Sequence, residues 1–262
     1  MKTFIRVTEV WVPSKDRTQL ELADGLYGSL QAFREVSEQM RFNYDEGLPG
    51  KAWAARRPII LKDLANSYFL RTEAAGEAGL TCGVALPIFA GDFLMAVIVF
   101  FCGDDEEHVG AIELWCTNPT EPYELRLVDG YFGTAEYFAF FSQTMRFRKG
   151  FGLPGLVWQT GMPLIMKDLG RAETFLRRDS AVKVGINKGL GIPCFFDPSQ
   201  IYVMTFLSAL GTPIARRFEI WTPDEKGDGL TFHAGDCDKN PNLAADYTSV
   251  LPKEKAWLVR CG

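Results

Sequence analysis

Two arginines and two aspartates stand at repeating positions from which they can recognise a polar ligand. Arg71 and Arg177 each follow a phenylalanine by two residues, in Phe69-Leu-Arg and Phe175-Leu-Arg. A guanidinium so placed can reach over a pocket and grip a carboxylate or phosphate with two parallel N–H donors, or it can pair with the nearby acids Glu73 and Asp179. Asp63 and Asp168, each inside a Lys-Asp-Leu run, can accept a ligand amine or hydroxyl, or cap the next helix through its backbone N–H groups. Trp53 and Trp158 can stack on an aromatic ligand or fill a core, and Phe69 and Phe175 carry the same two readings. These eight residues form the candidate ligand-binding set.

The remaining reactive side chains suggest neither catalysis nor a metal. Six cysteines are widely spaced with no Cys-x-x-Cys pair, and there are two histidines, His108 and His233. That is a poor zinc ligand set, and no sequence sign of an orienting carboxylate accompanies either histidine. No cysteine recurs when the two repeats described below are superposed, so buried structural thiols are expected. The expected cofactor content is none.

The elements that must position these residues are legible from an internal repeat. Gly47-Leu-Pro-Gly-Lys-Ala-Trp53 returns as Gly152-Leu-Pro-Gly-Leu-Val-Trp158, 105 residues on. The flanks keep step: Met40-Arg-Phe returns at 145, Glu9-Val-Trp11 as Glu113-Leu-Trp115, and Ala23-Asp-Gly as Val128-Asp-Gly. Each copy reads as a strand through the Trp and a second strand ending at Asp-Gly. Then come an amphipathic helix, a Gly-Leu-Pro-Gly turn opening a short helix, a Pro-led strand, a Lys-Asp-Leu turn, a helix near Phe-Leu-Arg and two apolar strands. In the amphipathic helix Phe33, Val36 and Met40, and in its repeat Phe138 and Phe141, are expected to face inward. A third opening, Glu219-Ile-Trp221, and a weakened Leu-Pro-Lys-Glu-Lys-Ala-Trp at 251–257 follow. The expected architecture is an α+β fold, an antiparallel sheet flanked by helices and duplicated in tandem. The units are 1–105, 106–212 and a partial third at 213–262, whose hairpin must pack on another unit or on a second chain.

Composition narrows the function classes. The 262-residue chain is 47% hydrophobic with a formal net charge of −5, which argues against a general nucleic-acid binder, since that affinity comes from neutralising phosphates. The N-terminus alternates like a strand and lacks the apolar block of a signal peptide, and the apolar run Phe93 to Cys102 is too short to span a bilayer. A cytoplasmic protein without membrane contact is expected. The Gly-Leu-Pro-Gly turn lacks Walker spacing, so it is expected to be structural and not a phosphate cradle.

The ordered set of Trp strand, Gly-Leu-Pro-Gly, Pro-led strand ending in Asp-Leu, Phe-x-Arg helix and Gly-to-Pro strand, present twice over about 210 residues, resembles the GAF domain. The resemblance implies a pocket between the sheet and its intermediate helices, used by family members for small molecules, or a dimerising regulatory module. The Asn-Lys-Phe-Asp-Glu pattern of the cyclic-nucleotide class is absent, and no Cys-His signal for bilin attachment is present. The leading expectation is a non-enzymatic, homodimeric tandem protein that senses an unknown small molecule and acts on a separate signalling partner. One alternative is an interaction or dimerisation module without ligand. The other is a thiol enzyme resembling the GAF-type free methionine sulfoxide reductases, with Cys82 and Cys194 as its thiols.

Overall fold

The structure is a computed structural model, and it describes residues 3–103, 109–197, 200–209, 211–237, 240, 243 and 251–252. The acidic stretch Asp104 to Glu107, His108, positions 253–257 of the last repeat and Cys261 lie outside the described residues. The chain divides into two compact units, Met1–Ile214 and Ala215–Gly262.

In the first unit, β1 (Ile5–Pro13) and β2 (Gln19–Leu26) form a hairpin followed by α1 (Gln31–Gln39), β3 (Arg41–Asn43), α2 (Gly47–Ala55) and β4 (Ile59–Leu61). The half closes with α3 (Thr72–Glu77), β5 (Cys82–Ala90) and β6 (Phe93–Cys102), giving a six-stranded sheet in the order β3-β2-β1-β6-β5-β4. The second half repeats this with β7 (Gly110–Asn118), β8 (Glu121–Tyr131), α4 (Glu136–Thr144), β9 (Arg146–Arg148), α5 (Gly152–Thr160), β10 (Leu164–Met166), α6 (Arg178–Lys183), β11 (Ile186–Asp197) and β12 (Gln200–Ala209). Its sheet runs β10-β11-β12-β7-β8-β9. Ladder pairs in both sheets are antiparallel.

Alternation along the strands gives each sheet two apolar faces. On β6, Val97, Val99 and Phe101 join the core beneath the helices; on β12, Val203 and Leu207 do the same in the second half. The opposite faces meet: Phe100 and Phe206 pack edge to face at 5.3 Å, and Phe4 stacks on Tyr131 at 6.3 Å. Alternation would expose every second residue from Gly110 to Thr117 if one face of the sheet met solvent, yet the whole stretch is buried. Lys62 also pairs with Asp129 at 2.6 Å, and the backbone N–H groups of Phe4 and Ile5 donate to Pro213 and Ile214. The halves share one body through an inter-sheet core.

The amphipathic helix differs from its expected face. Phe33 and Phe138 point inward with Ser37 and Ser142 one turn on, and Met40 at the C-cap packs against the core, whereas Val36 is exposed. The i, i+4 pair wins because each serine donates to the carbonyl of the phenylalanine one turn earlier, at 2.7 and 2.8 Å, and meets a buried partner described below.

The second unit carries β13 (Arg217–Pro223), β14 (Gly229–Cys237) and β15 (Leu251–Pro252) as its own three-stranded sheet. Its hairpin has the register of the other two. Glu9, Glu113 and Glu219 oppose Gly25, Gly130 and Gly235, and a bulge precedes each Trp.

Candidate functional site

Glu and Trp two apart on a strand share one face, and in all three hairpins the indole N–H donates to the carboxylate: Trp11 to Glu9 at 2.8 Å, Trp115 to Glu113 at 3.1 Å and Trp221 to Glu219 at 2.8 Å. In the two full halves this carboxylate is the anchor of the candidate arginine. Arg71 donates through Nη1 and Nη2 to Glu9 Oε1 and Oε2 at 2.5 and 2.9 Å, and Nη1 also meets Ser37 Oγ. Arg177 holds Glu113 in the same fork, with Nη2 to Oε2 at 2.8 Å and Nη1 to Ser142 Oγ at 2.5 Å.

The two halves satisfy the remaining carboxylate valence differently. Tyr27 O–H donates to Glu9 at 3.0 Å. Its counterpart in the second half is Phe132, and there Thr205 on β12 donates to Glu113 at 2.8 Å instead. The position of Thr205 is held by Val99 in the first half, since Glu9 opposes Val99 and Glu113 opposes Thr205. The donating hydroxyl comes from the residue after β2 in one half and from β12 in the other, so each buried carboxylate keeps its hydrogen bond. Burial and the Glu9 charge both push the Tyr27 hydroxyl pKa upward.

Aromatic rings enclose each guanidinium. Phe33, Phe101, Phe69, Trp11 and Phe42 lie 4.7 to 5.8 Å from the Arg71 carbon, and Phe138, Trp115, Phe147 and Phe175 lie 4.5 to 5.5 Å from that of Arg177. Arg71 and Arg177 are each 3% exposed. The cation–π field of the rings stabilises a desolvated cation.

The sequence candidates therefore fall into three settings. Arg71, Phe69, Arg177 and Phe175 belong to the buried pair and its cage. The partners of the arginines are Glu9 and Glu113 rather than the adjacent Glu73 and Asp179. Trp53 and Trp158 are half-buried against the two cores, Trp53 edge to face with Tyr44 at 5.3 Å. Asp63 and Asp168 are exposed. Asp63 accepts the backbone N–H groups of Ala65 and Asn66 at 2.9 and 3.0 Å and the Asn66 side chain at 2.9 Å, which holds its carboxyl below the usual carboxylate range. Asp168 sits 3.7 Å from Arg171. Glu9, Glu113, Ser37, Ser142, Tyr27 and Thr205 escaped the sequence reading; the recurring Glu-x-Trp was its available signal.

The third hairpin answers the same need locally. Arg217, two residues before Glu219 on β13, pairs with it through Nε, at the position of Val7 and Ala111 in the full halves.

Beside Arg177, a cleft of about 620 Å³ opens between α4 and the approach to α6, lined by Tyr137, Phe141, Met145, Phe175, Leu176 and Ser180 among others. Cys102, Cys116 and Cys194 are buried, and desolvation raises all three thiols, Cys194 to about 12. Among the described residues no group of three or more His, Cys, Asp and Glu can hold a metal ion.

Residues 10–121 match the GAF domain family. The matched span runs from β1 to the hairpin opening the second half, and the fold is α+β and GAF-like, two antiparallel sheets flanked by helices, duplicated. Among solved structures, the GAF domain of A. aeolicus nlh2 in an inactive state is similar at 20% identity and TM-score 0.31, covering 39% of this chain and 60% of that one. The free methionine-R-sulfoxide reductase of Neisseria meningitidis, in complex with its substrate, is similar at 13% identity and TM-score 0.30, covering 37% and 52%. A GAF domain/HD domain protein of Geobacter sulfurreducens is similar at 18% identity and TM-score 0.32, covering 38% and 63%. The chain thus spans less than two thirds of each of these proteins. A search of curated proteins found no match. Among the described residues no helix is long and apolar enough to cross a membrane.

Proposed function

We propose that this chain is a non-enzymatic, cytoplasmic regulatory module of the GAF kind that works through protein contacts, with both interiors occupied by its own side chains. The supporting observation is the caged guanidinium–carboxylate pair in each half. A ligand anion seeking Arg71 or Arg177 has to displace a fully buried glutamate that already takes both Nη groups. Loss of such a pair costs more than a surface contact returns.

A thiol enzyme is disfavoured on the same physical grounds. The thiolate is the nucleophile, and desolvation opposes its formation at Cys102, Cys116 and Cys194, while Cys82, the other candidate thiol, is 0% exposed and closed to a substrate. Native protein titrated with a thiol-reactive disulfide reagent is expected to leave these three unmodified, and denaturant is expected to release all three. Rapid modification of any of them in the native state, mapped by peptide mass, would revive the enzyme reading.

Small-molecule sensing is the second reading, favoured by the cleft beside Arg177. Native and denaturing mass spectra of the purified full chain separate the two. Contact-based regulation is expected to give native masses that are whole multiples of the chain mass. Excess mass lost on denaturation would overturn it and favour the sensor.

A further inference from the structure

The contact between the two halves is one-sided at its rim. The first half enters it through Phe4, the end of β4 and the residue before β5. Lys62 pairs with Asp129 at 2.6 Å, Phe4 stacks on Tyr131 at 6.3 Å, and the Thr81 hydroxyl lies 3.5 Å from that of Tyr131. The second half receives these groups on β8. The same positions in the first half's own hairpin are Asp24 and Leu26. Val10 opposes Asp24 where Leu114 opposes Asp129, and Thr8 opposes Leu26 where Ile112 opposes Tyr131. Both aspartates accept the N–H of the glycine that follows, at 2.7 and 2.9 Å. There the likeness ends. Asp24 is exposed, with no described cation at ion-pair distance, and Leu26 is 51% exposed where Tyr131 is 7%.

The open surface continues onto the sheet. Val10, Val12 and Ile98, on the same face of the first sheet, are half-buried, whereas their counterparts Leu114, Cys116 and Met204 are buried. Two halves of one fold therefore present the same face, closed over in one and open in the other. A carboxylate beside an open apolar strip selects a partner that brings a cation together with apolar atoms. The chain itself shows such a combination seated at the equivalent place in its second half. It is Ile59-Ile-Leu61-Lys62, a three-residue edge strand closed by lysine. That strand is already engaged at Asp129, so Asp24 calls for another of the same kind.

We infer that the β1–β2 hairpin of the first half is the docking surface for a different protein, one that presents a short apolar edge strand closed by lysine. The lysine meets Asp24, and the apolar side chains cover Leu26 and Val10. This rests on the protein-contact reading above and gives it a surface and a partner chemistry. A photo-crosslinking residue placed at Leu26 of the full chain, in its native cells and with the products mapped by peptide mass, tests it. The expected product joins the chain to another protein at a strand of that description. It is lost on Asp24→Lys and regained when the lysine of that strand is changed to aspartate. Both substituted positions are exposed, so thermal unfolding of the variants is expected to match the wild type. Absence of a product, a product with a second copy of this chain or with a helix or loop, or one that Asp24→Lys leaves intact would overturn the inference. Its failure is separable from that of the contact reading. No product, with native masses free of bound ligand, removes this surface alone; bound mass lost on denaturation removes the contact reading.

Discussion

Arg71→Ala is expected to destabilise the chain by about 3–5 kcal/mol, because it leaves the Glu9 carboxylate buried without its counter-charge. Glu9 is 0% exposed and would keep the Trp11 and Tyr27 donors alone. Arg177→Ala is expected to cost as much through Glu113, which is also 0% exposed. Because the halves share the inter-sheet core, either loss should unfold the first unit as a whole. A single transition displaced to lower urea is the expected signature. The paired replacement Glu9→Leu with Arg71→Met is expected to recover only part of the loss, since the apolar pair desolvates neither charge but takes the acceptor from the buried Trp11 N–H and Tyr27 O–H.

Gly50→Ala and Gly155→Ala are expected to cost about 3 kcal/mol each, near the top of the range for overpacking. An added Cβ would stand 2.2 Å from the carbonyl oxygen of Asn43 and 2.1 Å from that of Arg148. Those oxygens are main-chain atoms in the turn that the same glycines close, through Asp45 N–H to Gly50 O at 3.1 Å and Gly150 N–H to Gly155 O at 2.8 Å. No rotamer change can relieve the overlap. Gly76→Ala is the contrast: nothing lies within 4 Å of the added carbon, and α3 gains a better helix former. Urea unfolding of the three variants should separate them cleanly, with Gly76→Ala neutral or stabilised.

This second expectation shows why the fold was readable in the sequence. Gly-Leu-Pro-Gly is local chemistry: Gly47 and Gly152 take φ of +58° and +64°, the Pro sits in the first helical turn where its missing N–H is not needed, and the last Gly admits the backbone. Repetition of such short-range signals was enough to order the strands and helices of both halves. The site was harder, because its defining pair joins residues 62 and 64 apart in sequence. Nothing in Phe-Leu-Arg says that the guanidinium turns inward to Glu9; the adjacent Glu73 and Asp179 were the visible partners. Tyr27 and Thr205 were hidden for a further reason. They do the same work from different places, Tyr27 just after β2 and Thr205 on β12, so superposing the repeats pairs each with an apolar residue.

A double-mutant cycle on Glu9 and Arg71, followed by urea unfolding, tests most directly whether each interior is held by its own ion pair. The expected result is a coupling energy of about 2 kcal/mol or more, as for groups joined in one buried network. Additive losses would contradict it, leaving Arg71 energetically independent of Glu9 and its guanidinium available to an external anion.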